Sequence, residues 1–309
     1  MSLRGLPSLS GMDAPTYSMI PLLLGLAANM LAVVSCAPPT HAAPRKDAVV
    51  KTSGYVTSNG VSVYYEIHGT GEPLVVLHGG FGAIEMFGDN LDALAKHHQV
   101  IGIDLQGHGR TALAERAMSF DAMADDVVAV LDHVAVKKTD VMGYSLGGEV
   151  ALVTAIRHPE RVKRLVVVSA PFNRDGWHSQ MTDGMAQISP AAAEPMKHTP
   201  MYELYARIAP KVQDWPRFLG AMGDLLRKPF DVSADVPKLP PTLIIVGDAD
   251  GVRLTHAVEF FALLGGGQRD AGWDGKDRPA SQLAILPGQT HYGIFMAPAL
   301  VATIEPFLR

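Results

Sequence analysis

Hydrophobic positions along this chain fall into two rhythms that take turns. Short uninterrupted apolar runs occur at Leu74-Val75-Val76-Leu77, Val100-Ile101-Gly102-Ile103, Val141-Met142, Leu165-Val166-Val167-Val168, Leu243-Ile244-Ile245-Val246 and Leu283-Ala284-Ile285-Leu286. Runs this short, without polar alternation, predict strands buried on both faces. Val61 to Ile67 is different, because it alternates and carries Tyr64 and Tyr65. That pattern predicts a half-buried antiparallel strand. Between the runs the spacing changes to three and four, at Phe87, Leu91 and Leu94, and again at Met123, Val127, Val130, Leu131 and Val134. Further helices are predicted at 148–157, 254–264 and 297–308, and Ser119 and Asp121 are candidate caps. Strands and helices in alternation predict an α/β fold with a mostly parallel sheet covered on both faces.

The alternation stops between about residues 172 and 238, where no β-branched run occurs. Two helical stripes take over, Met201, Leu204, Tyr205 and Ile208, then Trp215, Phe218, Leu219, Met222 and Leu225. The segment ends in Pro237-Lys238-Leu239-Pro240-Pro241 and reads as a helical cap inserted between two sheet strands.

Residues 1–43 read as a leader and tether, leaving 44–309 as the folded domain. The apolar run Ile20 to Val34 is too short for a membrane span and suits the core of an export signal. Two versions stay open. Val33-Val34-Ser35-Cys36 resembles a lipobox, which would anchor the protein to a membrane through a lipidated Cys36. The other is plain cleavage near Ala42 or Ala43. Either way the protein is expected to be exported, as a periplasmic, secreted or membrane-anchored protein.

Composition narrows the chemistry. The net charge of -5 gives no basic footprint for nucleic acid. A single cysteine rules out an intrachain disulfide and a thiolate metal cluster. The twelve histidines include no H-E-x-x-H pair, and no metal or cofactor is expected. His97-His98 reads as a solvated helix end.

What remains is a serine. Gly143-Tyr144-Ser145-Leu146-Gly147 closes a strand and opens a helix at once, which forces a sharp turn. Side chains two before and two after the serine would collide as strand and helix close on each other. Other polar clusters follow predicted strands, at His78-Gly79-Gly80, Gly247-Asp248-Ala249-Asp250 and Gly288-Gln289-Thr290-His291. Ligands of such sheets bind beyond the carboxyl ends of the strands, so these clusters converge. A serine needs an imidazole to become a nucleophile, and the imidazole needs a carboxylate to fix its tautomer.

The H-G-G-F-G turn, the D-L-Q-G-H-G-R turn, the G-Y-S-L-G-G elbow, the G-D-A-D loop and the late histidine of Gly-Gln-Thr-His together resemble the α/β-hydrolase superfamily over about residues 55–309. The resemblance implies about eight strands and a helical cap. It also implies Ser145 as nucleophile, His291 as general base and acid, Asp250 as the orienting carboxylate, and the amides of Gly80 and Leu146 as an oxyanion hole. Asp248 is the competing carboxylate. His78 is expected to hold the oxyanion loop, Asp104, His108 and Arg110 to build a structural turn, and Glu149 to be a favourable charge in the first helical turn.

Haloalkane dehalogenases and epoxide hydrolases of this superfamily carry aspartate at the elbow, so serine argues against both. Trp177, Met181, Met185, Tyr202, Tyr205 and Trp215 suggest an apolar pocket with no arginine cluster for a charged acid. The expected partner is a small to medium apolar carboxylic ester. Lactonase, aminopeptidase, carbon–carbon hydrolase and perhydrolase chemistry could use the same residues, though Phe81 replaces the proline of the H-G-G-P-G turn of proline aminopeptidases. A non-catalytic binding protein of the same fold is the reading from another class.

Overall fold

The computed structural model describes residues 50–309. The leader, Cys36 and the sites at Ala42 and Ala43 lie outside the described residues. Eight strands form one sheet in the order β1-β2-β4-β3-β5-β6-β7-β8. They are β1 (Val50–Ser58), β2 (Val61–His68), β3 (Glu72–Leu77), β4 (His98–Ile103), β5 (Thr139–Tyr144), β6 (Val162–Val168), β7 (Thr242–Ala249) and β8 (Gln282–Thr290). Pairings β1–β2 and β2–β4 are antiparallel, and those from β4 through β8 are parallel. The helices are α1 (Asp89–Leu94), α2 (Phe120–His133), α3 (Leu146–Arg157), α4 (Ser179–Ala186), α5 (Ala193–Met196), α6 (Pro200–Ile208), α7 (Trp215–Arg227), α8 (Leu254–Leu263) and α9 (Pro298–Leu308).

The uninterrupted apolar runs have a direct physical cause. On β3, Val75 and Leu77 enter a core with Met123, Val127 and Val130 of α2 and Val150 and Val153 of α3. Leu74 and Val76 enter a second core with Leu91 and Leu94 of α1 and Leu300 and Ile304 of α9. β6 and β7 divide in the same way, with Val167 and Ile244 on the first side and Val166 and Ile245 on the second. Successive strand side chains point to opposite faces, so two covered faces require an apolar residue at every position. Ser119 caps α2, its side chain accepting from the Ala122 amide at 3.1 Å.

Three features depart from the sequence expectation. β1 carries no apolar run, being an edge strand with Thr52, Ser53 and Thr57 exposed. In β2 the alternation breaks because Tyr64 and Tyr65 are both buried, Tyr64 beneath the Arg110 guanidinium and Tyr65 beside His133 of α2. His98 is not on a solvated helix end: it opens β4, is buried, and lies 3.3 Å from the Glu305 carboxylate of α9. A sequence window sees no difference between the last residue of a turn and the first of a strand.

Between β6 and β7 the chain is helical, from α4 through α7, and α7 is the most buried of these elements. Its Trp215, Phe218 and Met222 belong to the same core as the sheet face that carries α2 and α3. Among the described residues, no helix is long and apolar enough to cross a membrane.

Candidate active site

β5 ends on Ser145, whose φ of 52° and ψ of −120° are unusual for a residue with a Cβ. Such backbone strain costs on the order of 1–3 kcal/mol and persists only where the surroundings fix it. The surroundings here are backbone. A Cβ on Gly143 would sit 2.0 Å from the carbonyl oxygen of Gly147, and one on Gly147 would sit 2.4 Å from that of Leu77. Both glycines are therefore demanded by the approach of strand and helix, and Ser145 stands at the start of α3 with its side chain directed off the sheet end.

Two residues from later loops meet it. Ser145 Oγ lies 3.1 Å from His291 Nε2, and His291 Nδ1 lies 3.0 Å from Asp250 Oδ1. Asp250 follows β7 and has a fully buried side chain, whereas Asp248 is exposed. The structure thus brings Asp250, not Asp248, to His291. The backbone amides of this stretch of chain are taken up in the same choice. They go to Asp250: Gly247 N–H donates to Oδ2 at 3.0 Å and Val252 N–H to Oδ1 at 3.1 Å. The Ser169 hydroxyl also donates to Oδ2. Burial alone would raise the Asp250 pKa, but the hydrogen bond and charge of His291, with the Gly247 amide and Ser169 hydroxyl, hold it below the usual carboxylate value. With Asp250 ionised, His291 Nδ1 carries the proton and Nε2 is free to accept from Ser145.

His291 is gripped from two sides. The Tyr144 hydroxyl donates to the His291 backbone carbonyl at 2.6 Å, and the Trp177 ring meets the imidazole edge-on at 5.3 Å. Met181, from α4, packs on Gly251 and accepts from the Tyr292 hydroxyl at 3.3 Å.

The loop after β3 passes over the same point. A Cβ on Gly79 would come within 3.4 Å of Ser145 Cβ, and one on Gly80 within 3.9 Å of Leu146 Cβ. Gly80 and Leu146 are therefore neighbours on one side of the serine. His78 braces this loop: its Nε2 accepts from the Leu105 amide at 3.0 Å and its Nδ1 donates to the Gly79 carbonyl at 2.8 Å. Complete burial pushes its pKa down to about 4, so it stays neutral in that tautomer. Asp104 closes the adjoining turn, accepting from the Ile84 amide at 3.0 Å and the Arg110 amide at 2.8 Å. Phe81, with φ of 60°, projects from this same loop onto Trp215 and Phe218 of α7.

Of the aromatic residues expected to line a pocket, only Trp177 touches the histidine. Trp215, Tyr202 and Tyr205 pack on one another and on Phe218, and the Trp215 indole donates to the Ala193 carbonyl at 3.2 Å. Glu149 also differs from expectation. It stands in the first turn of α3 but is buried, and its Oε1 has no hydrogen-bond partner among the described residues. Burial raises its pKa to about 7 against the smaller opposing effects of Arg174 and the Trp177 N–H. Among the described residues no three His, Cys, Asp or Glu side chains could jointly hold a metal ion.

Sequence reasoning missed two contributors. Tyr144 occupies a variable position of the elbow pattern and gave no signal. Ser169 had one: it ends the apolar run of β6 as Ser145 ends that of β5.

An eight-stranded, mostly parallel sheet with a strand-end serine, histidine and aspartate in hydrogen-bond sequence defines a class of α/β proteins whose sites lie at the carboxyl ends of the strands. A family model described as the alpha/beta hydrolase fold matches residues 72–193, and the chain has that fold. It is 35% identical over 123 residues to a putative carbamate hydrolase, RutD, of Azorhizobium caulinodans, covering 40% of this chain and 46% of that protein. The chain thus spans about half the length of that relative. It is 28% identical to a pimeloyl-[acyl-carrier protein] methyl ester esterase of Nitrosospira multiformis, over 81% of this chain and 99% of that one. A thermophilic esterase of Thermogutta terrifontis shares the fold, with a TM-score of 0.64 at 21% identity over 84% of this chain and 98% of the other.

Proposed function

We propose that this protein is a serine hydrolase that cleaves a small to medium apolar carboxylic ester through an acyl-enzyme. The observation that carries the reading is the continuous chain Ser145 Oγ, His291 Nε2, His291 Nδ1, Asp250 Oδ1, with spacings of 3.1 and 3.0 Å. In this mechanism Ser145 Oγ attacks the ester carbonyl as its proton passes to His291 Nε2, and Asp250 stabilises the imidazolium. The carbonyl oxygen, now anionic, takes hydrogen bonds from the Gly80 and Leu146 amides. Loss of one such donor costs on the order of 3 kcal/mol in the barrier. The imidazolium protonates the leaving alkoxide, and the acyl group stays on Ser145. Water then attacks the acyl carbon as its proton passes to His291, the acyl–Ser145 bond breaks as that proton returns to Ser145 Oγ, and the acid is released.

The apolar substrate class is supported by Trp177 against His291, by Met181 on the adjoining Tyr292 and Gly251, and by Met222, whose Cε would lie 3.4 Å from a Cβ on Gly80. The helices α4 to α7 act as a cap in this reading, because α7 reaches the Gly80 loop through Phe218 and Met222. The same residues would open a lactone, an amide or an activated carbon–carbon bond, and a panel of p-nitrophenyl esters, lactones and aminoacyl amides separates these bonds.

Ser145→Ala tests the mechanism. It should abolish covalent labelling by a fluorophosphonate and lower ester turnover by roughly 10⁴ to 10⁶, with folding intact. Ester hydrolysis near the wild-type rate in that variant would remove Ser145 as nucleophile, and an unlabelled wild type would favour a binding protein. Export is part of the proposal: the mature protein should begin at a lipidated Cys36 or near Ala43. An intact Met1 by mass spectrometry of the cell-derived protein would contradict both.

A further inference from the structure

Two neighbouring strands of this sheet end in the same unusual way. β5 stops at Ser145 with φ of 52°, and β6 stops at Ser169 with φ of 50°. In each case the strained residue's amide donates to the next strand, Ser145 N–H to Val168 O at 2.9 Å and Ser169 N–H to Ile245 O at 2.8 Å. Among the described residues only five non-glycines have positive φ, and Phe81, Ser145 and Ser169 are three of them, all at the strand ends that form the site. Glycine would adopt this backbone without strain. A serine there implies that the side chain matters.

The Ser169 side chain has one partner. It is completely buried, and its hydroxyl donates to Asp250 Oδ2. Asp250 is the most heavily hydrogen-bonded carboxylate in the site. Oδ1 takes His291 Nδ1–H and the Val252 amide, and Oδ2 takes the Gly247 amide and Ser169. Gly247 lies in β7, the strand that carries Asp250, and Val252 lies just after it, so both donors belong to Asp250's own stretch of chain. Ser169, just past the end of β6, is the donor that ties the carboxylate to a neighbouring strand.

We propose that Ser169 is a positioning residue: its hydroxyl fixes Oδ2 of Asp250 to the end of β6, which leaves Oδ1 aimed at His291. This rests on the reading of Ser145, His291 and Asp250 as the reacting set. Ser169 touches neither substrate nor the reacting atoms. It acts by restricting rotation of the carboxylate about its last bond, a rotation that would pull Oδ1 away from Nδ1 and let the imidazole turn.

Two substitutions separate this role from a merely structural one. Ser169→Ala keeps the backbone strain and loses the hydroxyl. Ser169→Gly loses the hydroxyl and relieves the strain, so it should be the more stable of the pair. Both should lose kcat to the same degree, about tenfold to a hundredfold for one hydrogen bond to a charged group, with KM on a p-nitrophenyl ester unchanged. A second readout does not depend on turnover. The low-field proton resonance of His291 Nδ1–H, hydrogen-bonded to Asp250, should shift or broaden in both variants and remain sharp in the wild type. If activity instead follows melting temperature, with Ser169→Gly restored and Ser169→Ala impaired, Ser169 serves the fold alone. An unchanged proton resonance in both variants overturns the proposal even if the enzyme's substrate proves to be something other than an ester. Failure of the hydrolase reading itself would show separately, as a wild type that Ser145-directed fluorophosphonate does not label.

Discussion

Two buried carboxyl groups lie close to Ser145 and His291, and they are treated in opposite ways. Asp250, at the end of β7, receives four hydrogen-bond donors and is held ionised. Glu149, one turn into α3 from Ser145, has an oxygen that receives none, and is pushed toward its neutral form. Burial disfavours the charge of both. The difference lies in the donors, because fixed dipoles around Asp250 replace the hydration that burial removes. A helix N-terminus is often credited with stabilising an acidic residue in its first turn, but at Glu149 desolvation outweighs it. Proximity to Ser145 and burial do not by themselves make a charged site.

The largest effect that would break this comparison is expected at Asp250. Asp250→Asn should lower ester turnover by up to about 10⁴, because the amide can leave the imidazole in the wrong tautomer. It should also destabilise the fold by about 1–3 kcal/mol, since one of the present donors would then face the new NH₂ group. Asp248→Asn, on an exposed side chain, should change stability by less than about 0.5 kcal/mol and leave turnover near wild type. Comparable losses from the two variants would show that the buried hydrogen-bond set is not what distinguishes them.

A smaller, pH-dependent effect belongs to Glu149. Its carboxyl holds a proton in the folded protein up to about pH 7 and in the unfolded chain up to about its ordinary value of 4.5. Between those values the folded state binds more protons, so this group's contribution to stability is full at low pH and is lost as pH rises. Asp104 gives a slope of the same sign, its pKa raised to about 7 mainly by burial, and keeps it in any Glu149 variant. Glu149→Gln should therefore flatten, without abolishing, the decline in melting temperature between pH 4.5 and 7. A parallel pair of curves would mean that Glu149 is already ionised in the folded protein.

The smallest effect would sharpen the account of Glu149. Trp177 N–H is a donor acting on that carboxyl, though neither it nor Oε1 reaches hydrogen-bond geometry. Trp177→Phe removes the donor and keeps most of the ring. The pH at which the decline in stability ends, set by the folded-state carboxyl, should move upward in this variant, measured as melting temperature against pH. No movement would leave Arg174 as the group that moderates Glu149.

The legible parts of this protein were those where one residue's surroundings are set by its near neighbours in sequence. Leu74 to Leu77 had to be apolar at every position because both faces of β3 are covered. Gly143 had to be glycine because the elbow folds it against the Gly147 carbonyl four residues on. The stripe Trp215, Phe218, Leu219, Met222 and Leu225 gave α7 correctly for the same local reason. It did not give the partner of that stripe. Trp215 faces Tyr202, Tyr205 and Phe81 in a packed cluster, where an apolar pocket wall was expected. β1 was illegible because an exposed edge strand needs no hydrophobic pattern.

By itself the sequence determined the alternation of strands and helices from β2 onward, the elbow at Ser145 and the small set of polar residues that strand ends could bring together, because periodicity and turn sterics act over a few residues. Only the tertiary structure decided which aspartate meets His291, that Ser169 reaches Asp250 across 81 residues of chain, that Tyr144 holds the histidine loop across 147, and that Glu149 is buried with an oxygen no donor reaches. Each of these depends on which surfaces close over a side chain. Hydrogen-bond satisfaction and desolvation are set by that closure, and no local pattern encodes it.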